Sequence, residues 1–152
     1  MTSTNDSPAP VRVSLREGLL LGELYNISSV RLAGCKCADC GETSLGERLI
    51  CPNCGQSDVS TVALGNVGTL WSFTVIRHRP PGDYRGPTPF APFGLGLVEL
   101  TEGLRVLSPI DVDVDALEIG LPLRFHPYVR HDPEKDVVAF SYVPNLGATL
   151  DV

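Results

Sequence analysis

The residues with the most definite chemistry in this chain are its cysteines. Cys37-Ala38-Asp39-Cys40-Gly41 and Cys51-Pro52-Asn53-Cys54-Gly55 share one form, C-x-x-C followed by glycine, with ten residues between the two knuckles. Four thiolates at that spacing can meet at the corners of a tetrahedron about 2.3 Å from one Zn²⁺. The glycines permit the tight turn that brings backbone N–H groups toward the sulfurs. Residues 31–60 therefore read as a structural, rubredoxin-like zinc ribbon with Cys37, Cys40, Cys51 and Cys54 as ligands. Four cysteines close the coordination shell and leave no position for a reactive water, so the metal is expected to supply folding energy and no chemistry.

Cys35 stands outside this repeat. Pairing it with Cys40 would break the match to the second knuckle, so it is left unligated. Disulfides are the competing reading for all five thiols. Met1–Pro10 is polar where a signal peptide would be apolar, so a reducing, cytoplasmic setting is expected and metal is favoured over disulfides.

The other reactive side chains are sparser. Arg77-His78-Arg79 precedes Pro80-Pro81-Gly82-Asp83-Tyr84-Arg85, the densest basic stretch of the chain. Five prolines between Pro80 and Pro92 make this loop stiff. It reads either as an ordinary surface loop or as a rigid arm. Such an arm would dock on a partner or hold Arg77, Arg79 and Arg85 against anionic groups. His126 and His131 read as surface residues. Asp111, Asp113 and Asp115 alternate, but they lack the glycine and terminal glutamate of a calcium loop, so a solvated acidic edge is expected. No phosphate-cradling glycine loop and no Ser/His/Asp arrangement is evident.

Something must position these groups. The 152 residues suffice for one ordinary domain, or a small domain plus a metal-stapled module, and 43% hydrophobic residues can build a core. No run approaches the length of a membrane span. Fifteen glycines and 13 prolines suit short strands and loops. The net charge of −6 runs against nucleic-acid binding, which draws on a surplus of Lys and Arg.

Residues 1–30 read as an N-terminal extension, disordered over its first part. The apolar stretch from Leu15 to Leu32, which leads into the ribbon, is broken by Gly18 and Gly22, which disfavours a long helix. Five runs after the ribbon read as strands: Gly68–His78, Phe93–Leu100, Arg105–Ile110, Leu121–Val129 and Val137–Val143. In the first, period-two alternation puts Trp71, Phe73 and Val75 on one face and Leu70, Ser72, Thr74 and Ile76 on the other. Thr101–Gly103 marks a tight hairpin, Asp111–Gly120 a crossover, and Arg130–Asp136 a charged hairpin tip. This order fits a small Greek-key barrel over residues 61–146, of which the OB-fold is the commonest, or another small barrel or sandwich. Residues 147–152 read as a tail.

A zinc ribbon leading into five strands resembles the zinc-ribbon/OB-fold acyl-CoA-associated family. The resemblance is carried by "CADCG…CPNCG", "GTLWSFTVIRHRPPG", "PFGLGLVELTEGLRVLSPI" and "ALEIGLPLRFHPYV", and covers about Arg31–Val143. It implies a mainly β chain, ribbon then OB-fold barrel. It implies a small, non-catalytic subunit of a thiolase-superfamily enzyme, a thiolase or thiolase-like aldolase. That enzyme would form or cleave C–C bonds in acyl-CoA substrates of a degradative pathway. It also implies an assembly, with a heterotetramer expected from a dimeric core, and gives the arginine arm CoA phosphates to meet. Many members open with an amphipathic helix, whereas "SLREGLLLGELYNISSVRLAG" reads as extended or irregular. Two rival functions stand beside this reading. One is a single-stranded nucleic-acid binder stacking bases on Trp71, Phe73 and Tyr84; the other is a stand-alone acyl-CoA-binding protein.

Overall fold

The computed structural model describes residues 10–146, so the expected disorder of the first residues and the 147–152 tail lie outside the described residues. Ten strands and two short 3₁₀ turns make up the regular structure; no α-helix occurs among the described residues. Five long strands form the barrel: β6 (Val67–Ile76), β7 (Phe93–Leu100), β8 (Arg105–Ile110), β9 (Pro122–His131) and β10 (Asp136–Pro144). Their order is β6-β7-β8-β10-β9, closed by pairing of β9 with β6. This closed Greek-key ring is the expected OB-fold.

Antiparallel ladders make most of the ring. β9 and β10 pair over their whole length, from Asp136↔His131 to Pro144↔Leu123. The seam between β8 and β10 is parallel and rests on one pair, Tyr142↔Ile110, extended by Asp111 N–H donating to the Tyr142 carbonyl at 2.8 Å. The hairpin at Thr101–Gly103 closes with Gly103 at φ 93°, a left-handed turn position suited to glycine. The crossover Asp111–Gly120 holds one 3₁₀ turn, Val114–Ala116, capped by the Asp113 carboxylate accepting from the Asp115 N–H.

One feature of β6 departs from strict alternation. Leu70 pairs with Val98 but Ser72 pairs with Leu97, so Trp71 is an extra residue, a β-bulge. The bulge reverses the faces expected on its N-terminal side. Leu70 joins the core together with Phe73 and Val75, while Trp71 turns outward and is 44% exposed. Regular alternation cannot forecast this, because the inserted residue shifts the register by one.

The other sheet belongs to the ribbon. β3 (Arg31–Cys37) pairs antiparallel with β4 (Thr43–Leu45), β5 (Val59–Ala63) and, at its start, β2 (Leu20–Leu21). The stretch expected as an extension is thus tied to both sheets. β1 (Arg12–Ser14) runs parallel to β10, from Arg12↔Asp136 to Ser14↔Val138, and β2 joins the ribbon. The segment between them and β3 is irregular, as its glycines foretold.

A single hydrophobic cluster underlies both sheets. Val30, Leu32 and Leu64 from around the ribbon pack in the same cluster as Leu70, Val98, Val106, Ile110, Leu123, Phe125, Val138 and Tyr142. Phe125, Phe140 and Tyr142 form an aromatic trio with centroids 5.5 to 6.3 Å apart. The Tyr142 side chain is fully buried, and its hydroxyl has no hydrogen-bond partner among the described residues. Burial, aided by the Glu102 charge, raises the phenol's pKa well above its usual value. A buried hydroxyl without a partner costs free energy that a phenyl ring does not. Tyr142→Phe is therefore expected to leave stability unchanged or raise it by up to about 2 kcal/mol. Urea unfolding of the two proteins measures this, and a clear loss would show that the hydroxyl has a partner.

Candidate metal cluster and groove

The four repeat cysteines converge. Their Sγ atoms all lie within 4.8 Å of one another. Cys37 Sγ to Cys54 Sγ and Cys40 Sγ to Cys51 Sγ are each 3.6 Å. A tetrahedral ion with sulfur at about 2.3 Å sets its ligands about 3.8 Å apart, so the donor set and its spacing fit one divalent metal ion. Each knuckle contributes one buried cysteine, Cys37 or Cys51, and one exposed one, Cys40 or Cys54.

The two knuckles are built alike. Gly41 N–H donates to the Cys37 carbonyl and Gly55 N–H to the Cys51 carbonyl, both at 3.0 Å. Cys37 N–H bonds the Glu42 carbonyl, and Cys51 N–H the Gln56 carbonyl. Gly41 and Gly55 sit at φ 78° and 81°, where a Cβ is strained. Asn53 sends its backbone N–H to Cys51 Sγ at 3.4 Å and its amide to Cys40 Sγ at 3.6 Å.

The sulfurs do not ionise alike without a cation. The Asn53 amide, then a backbone hydrogen bond at Glu42, pulls the Cys40 thiol down to about 7. A backbone hydrogen bond at Gln56 lowers Cys54, but burial and the neighbouring thiols Cys37, Cys40 and Cys51 outweigh it and push it up to about 12. Four thiolates crowd together only if a positive charge joins them. Cys35 is buried in β3 and is not one of the four.

The proline arm between β6 and β7 shapes a second feature. Tyr84 stacks on Phe93 at 5.9 Å, and the Phe90 ring meets both edge-on. Arg79 lies 5.4 Å over the Tyr84 ring, and Arg85 pairs with Asp83 at 2.8 Å. The arm is thus pinned down by aromatic contacts, and under it lies an open groove of about 740 Å³.

The groove gathers residues far apart in sequence. Asp83, Tyr84 and Arg85 come from the arm, Pro109 to Asp111 from the end of β8, His126, Tyr128 and Arg130 from β9, and Ser141 from β10. His126 and Tyr128 stack at 6.1 Å, because alternate residues of β9 share a face. Desolvation, with a contribution from Asp111 and against Arg130, raises the Tyr128 phenol and keeps it a neutral donor. Arg130 holds Asp132 with two hydrogen bonds of 2.8 and 2.9 Å, which lowers that carboxyl.

Of the three arginines expected to meet an anion, only Arg85 lines the groove. Arg79 is spent on Tyr84, and Arg77 is exposed outside it. His126, read from sequence as a surface residue, is half-buried in the groove wall. His131 is exposed and pairs with Asp136 at 2.8 Å. Tyr128 and Ser141 were not singled out in advance. Their only sequence signal is the alternation that places them outside the aromatic core.

The chain is similar to known proteins over most of its length. The model of the ChsH2 C-terminal OB-fold domain family matches residues 61–126. A DUF35 domain-containing scaffold protein of Methanothermobacter thermautotrophicus is 33% identical over 115 residues, 73% of this chain and 83% of that protein. A probable enoyl-CoA hydratase alpha subunit of Thermomonospora curvata is 32% identical over 111 residues; the match takes in 72% of this chain but only 33% of that longer protein. Among solved structures, a chain of the Ltp2-ChsH2(DUF35) aldolase superposes with a TM-score of 0.60 at 30% identity, covering 76% of this chain and 86% of that one.

Proposed function

This chain belongs to the DUF35 domain family, and from that premise we propose that it is a non-catalytic accessory subunit of a thiolase-superfamily enzyme. The enzyme subunit would form or cleave a C–C bond in an acyl-CoA. This chain would complete the assembly, with two copies of each in a heterotetramer. The observation that carries the reading is the likeness, over most of both chains, to a component of an aldolase made of two named proteins.

The chain's own residues support it. A thiolase needs a nucleophilic cysteine with a histidine near it. Four of the five cysteines here cluster with one another, and Cys35 is buried in a strand. Cys37, Cys40, Cys51 and Cys54 would hold Zn²⁺, whose role when bound is to fix the two knuckles. Tetrathiolate donors of this size and softness favour zinc among common ions. Arg85, at the mouth of the groove, is the best placed of the three arginines to meet the phosphates of a CoA thioester; Arg77 and Arg79 would act only if the arm shifts.

Co-expression with a thiolase-superfamily enzyme from the same genome tests the reading. A stable complex by light scattering is expected, with at least tenfold more C–C bond turnover than the enzyme alone shows. Full turnover by the enzyme alone, with no complex formed, overturns it.

A further inference from the structure

The outer face of β6, β7 and β8 carries a surface that neither the cluster nor the groove explains. On β8 the burial alternates, so Arg105, Leu107 and Pro109 point outward; Leu107 is 60% exposed. On β7 the outward residues are Phe93, Leu95, Leu97 and Glu99, with Leu97 directly opposite Leu107 and Leu95 opposite Pro109. The bulge in β6 delivers Trp71 to the same face. Arg105 covers its ring at 3.7 Å and is itself held by Glu99 at 3.1 Å.

Three physical points mark this as a docking surface. The indole is held in place by a paired arginine, so little side-chain entropy remains to be lost on binding. Trp and Arg are the side chains that most often dominate interface energetics. The β-bulge turns a large apolar residue toward water that regular pairing would have sent to the core.

The occupant can be narrowed. The face is a flat sheet, unsuited to a small molecule. In OB-folds it is the side that commonly receives nucleic acid. Here its cation is neutralised by Glu99 in a chain of net charge −6, so a polyanion finds no net attraction. An apolar strip with one pre-paired arginine fits another protein. The strip also runs into the groove: Pro109 and Phe93 belong to both. A protein seated on the strip would stand at the groove's mouth.

We propose that this strip, centred on Trp71 and Leu107, is where the enzyme subunit docks, the indole entering an apolar pocket on that subunit. This rests on the accessory-subunit reading above. Trp71 is the chain's only tryptophan, so 5-fluorotryptophan incorporated into this chain alone gives one ¹⁹F resonance. Adding unlabelled enzyme subunit is expected to shift or broaden that resonance. Trp71→Ala and Leu107→Glu, both at exposed positions, are each expected to weaken the complex roughly tenfold or more while far-UV circular dichroism and metal content stay as in the parent. A complex that forms with the resonance unmoved, or that both variants join with parental affinity, overturns the docking site and leaves the accessory reading standing. Failure of the parent chain to form any complex overturns both. A resonance that shifts with the chain's own concentration, without enzyme, assigns the strip to a second copy and overturns the proposal.

Discussion

Cys51→Ser is expected to abolish metal binding and to unfold the ribbon. Cys51 is buried, and its sulfur sits 3.6 Å from Cys40 and accepts the Asn53 N–H. Removing it leaves three ligands and uncouples the second knuckle. In small metal modules the binding free energy is folding free energy, on the order of 10 kcal/mol. The ribbon here also leans on the shared core, so the loss in the intact chain is expected to be smaller, about 5 kcal/mol or more. Metal analysis by mass spectrometry should find one zinc per parent chain and none in the variant. Thermal melts should show a large drop that a chelator reproduces in the parent. Cys35→Ser is the control, expected to keep the metal. Acid works in the same direction as the chelator. Binding requires thiolates, so protons compete as pH falls and the ion is released. A parent chain with no tightly held metal, or a chelated one with its melt unchanged, would remove the basis for the zinc assignment.

The second large effect is expected in the barrel. Leu70 is fully buried, and its Cδ1 lies 2.6 Å from the point a Cβ on Gly96 would occupy. The leucine therefore fills the hollow that the glycine leaves on β7. Leu70→Ala is expected to cost about 3–5 kcal/mol through lost burial and the cavity left behind. Gly96→Ala alone should cost about 1–3 kcal/mol by overpacking, since the added methyl must displace Leu70 and also crowds Ile110 and the Ser72 carbonyl. The double variant should be less destabilised than the sum, because the new methyl enters space the leucine has left. Chemical denaturation of all four proteins measures the coupling. Strict additivity would mean that the two residues do not share one packing site.

How far the sequence reveals these features depends on how local each one is. The cysteine cluster is set by two knuckles of five residues, so the convergence of Cys37, Cys40, Cys51 and Cys54 was legible from spacing alone. The five barrel strands were legible because alternation and turn residues are also local signals. Their ends moved by only one or two residues. Val67, for instance, joins a strand expected to begin at Gly68, and Leu121 drops out of the strand expected to begin there. The bulge at Trp71 was not legible, since an inserted residue leaves the strand just as apolar. Nor was β1, whose three residues become a strand by parallel pairing with one 124 positions later, Arg12 with Asp136. The groove was least visible of all. Arg85, Asp111, His126, Tyr128 and Ser141 meet there only because the ring closes.

That common core governs how the chain can be cut. Scissors placed at residue 61, where the OB-fold family match begins, would carry off Val30 and Leu32 together with β1. The remaining barrel would lie open to water on the side those residues cover, with one length of β10 left unpaired. A free-standing fragment would need new side chains on that bared flank before it could dissolve. Ribbon and ring therefore have to be transplanted into another protein as one block.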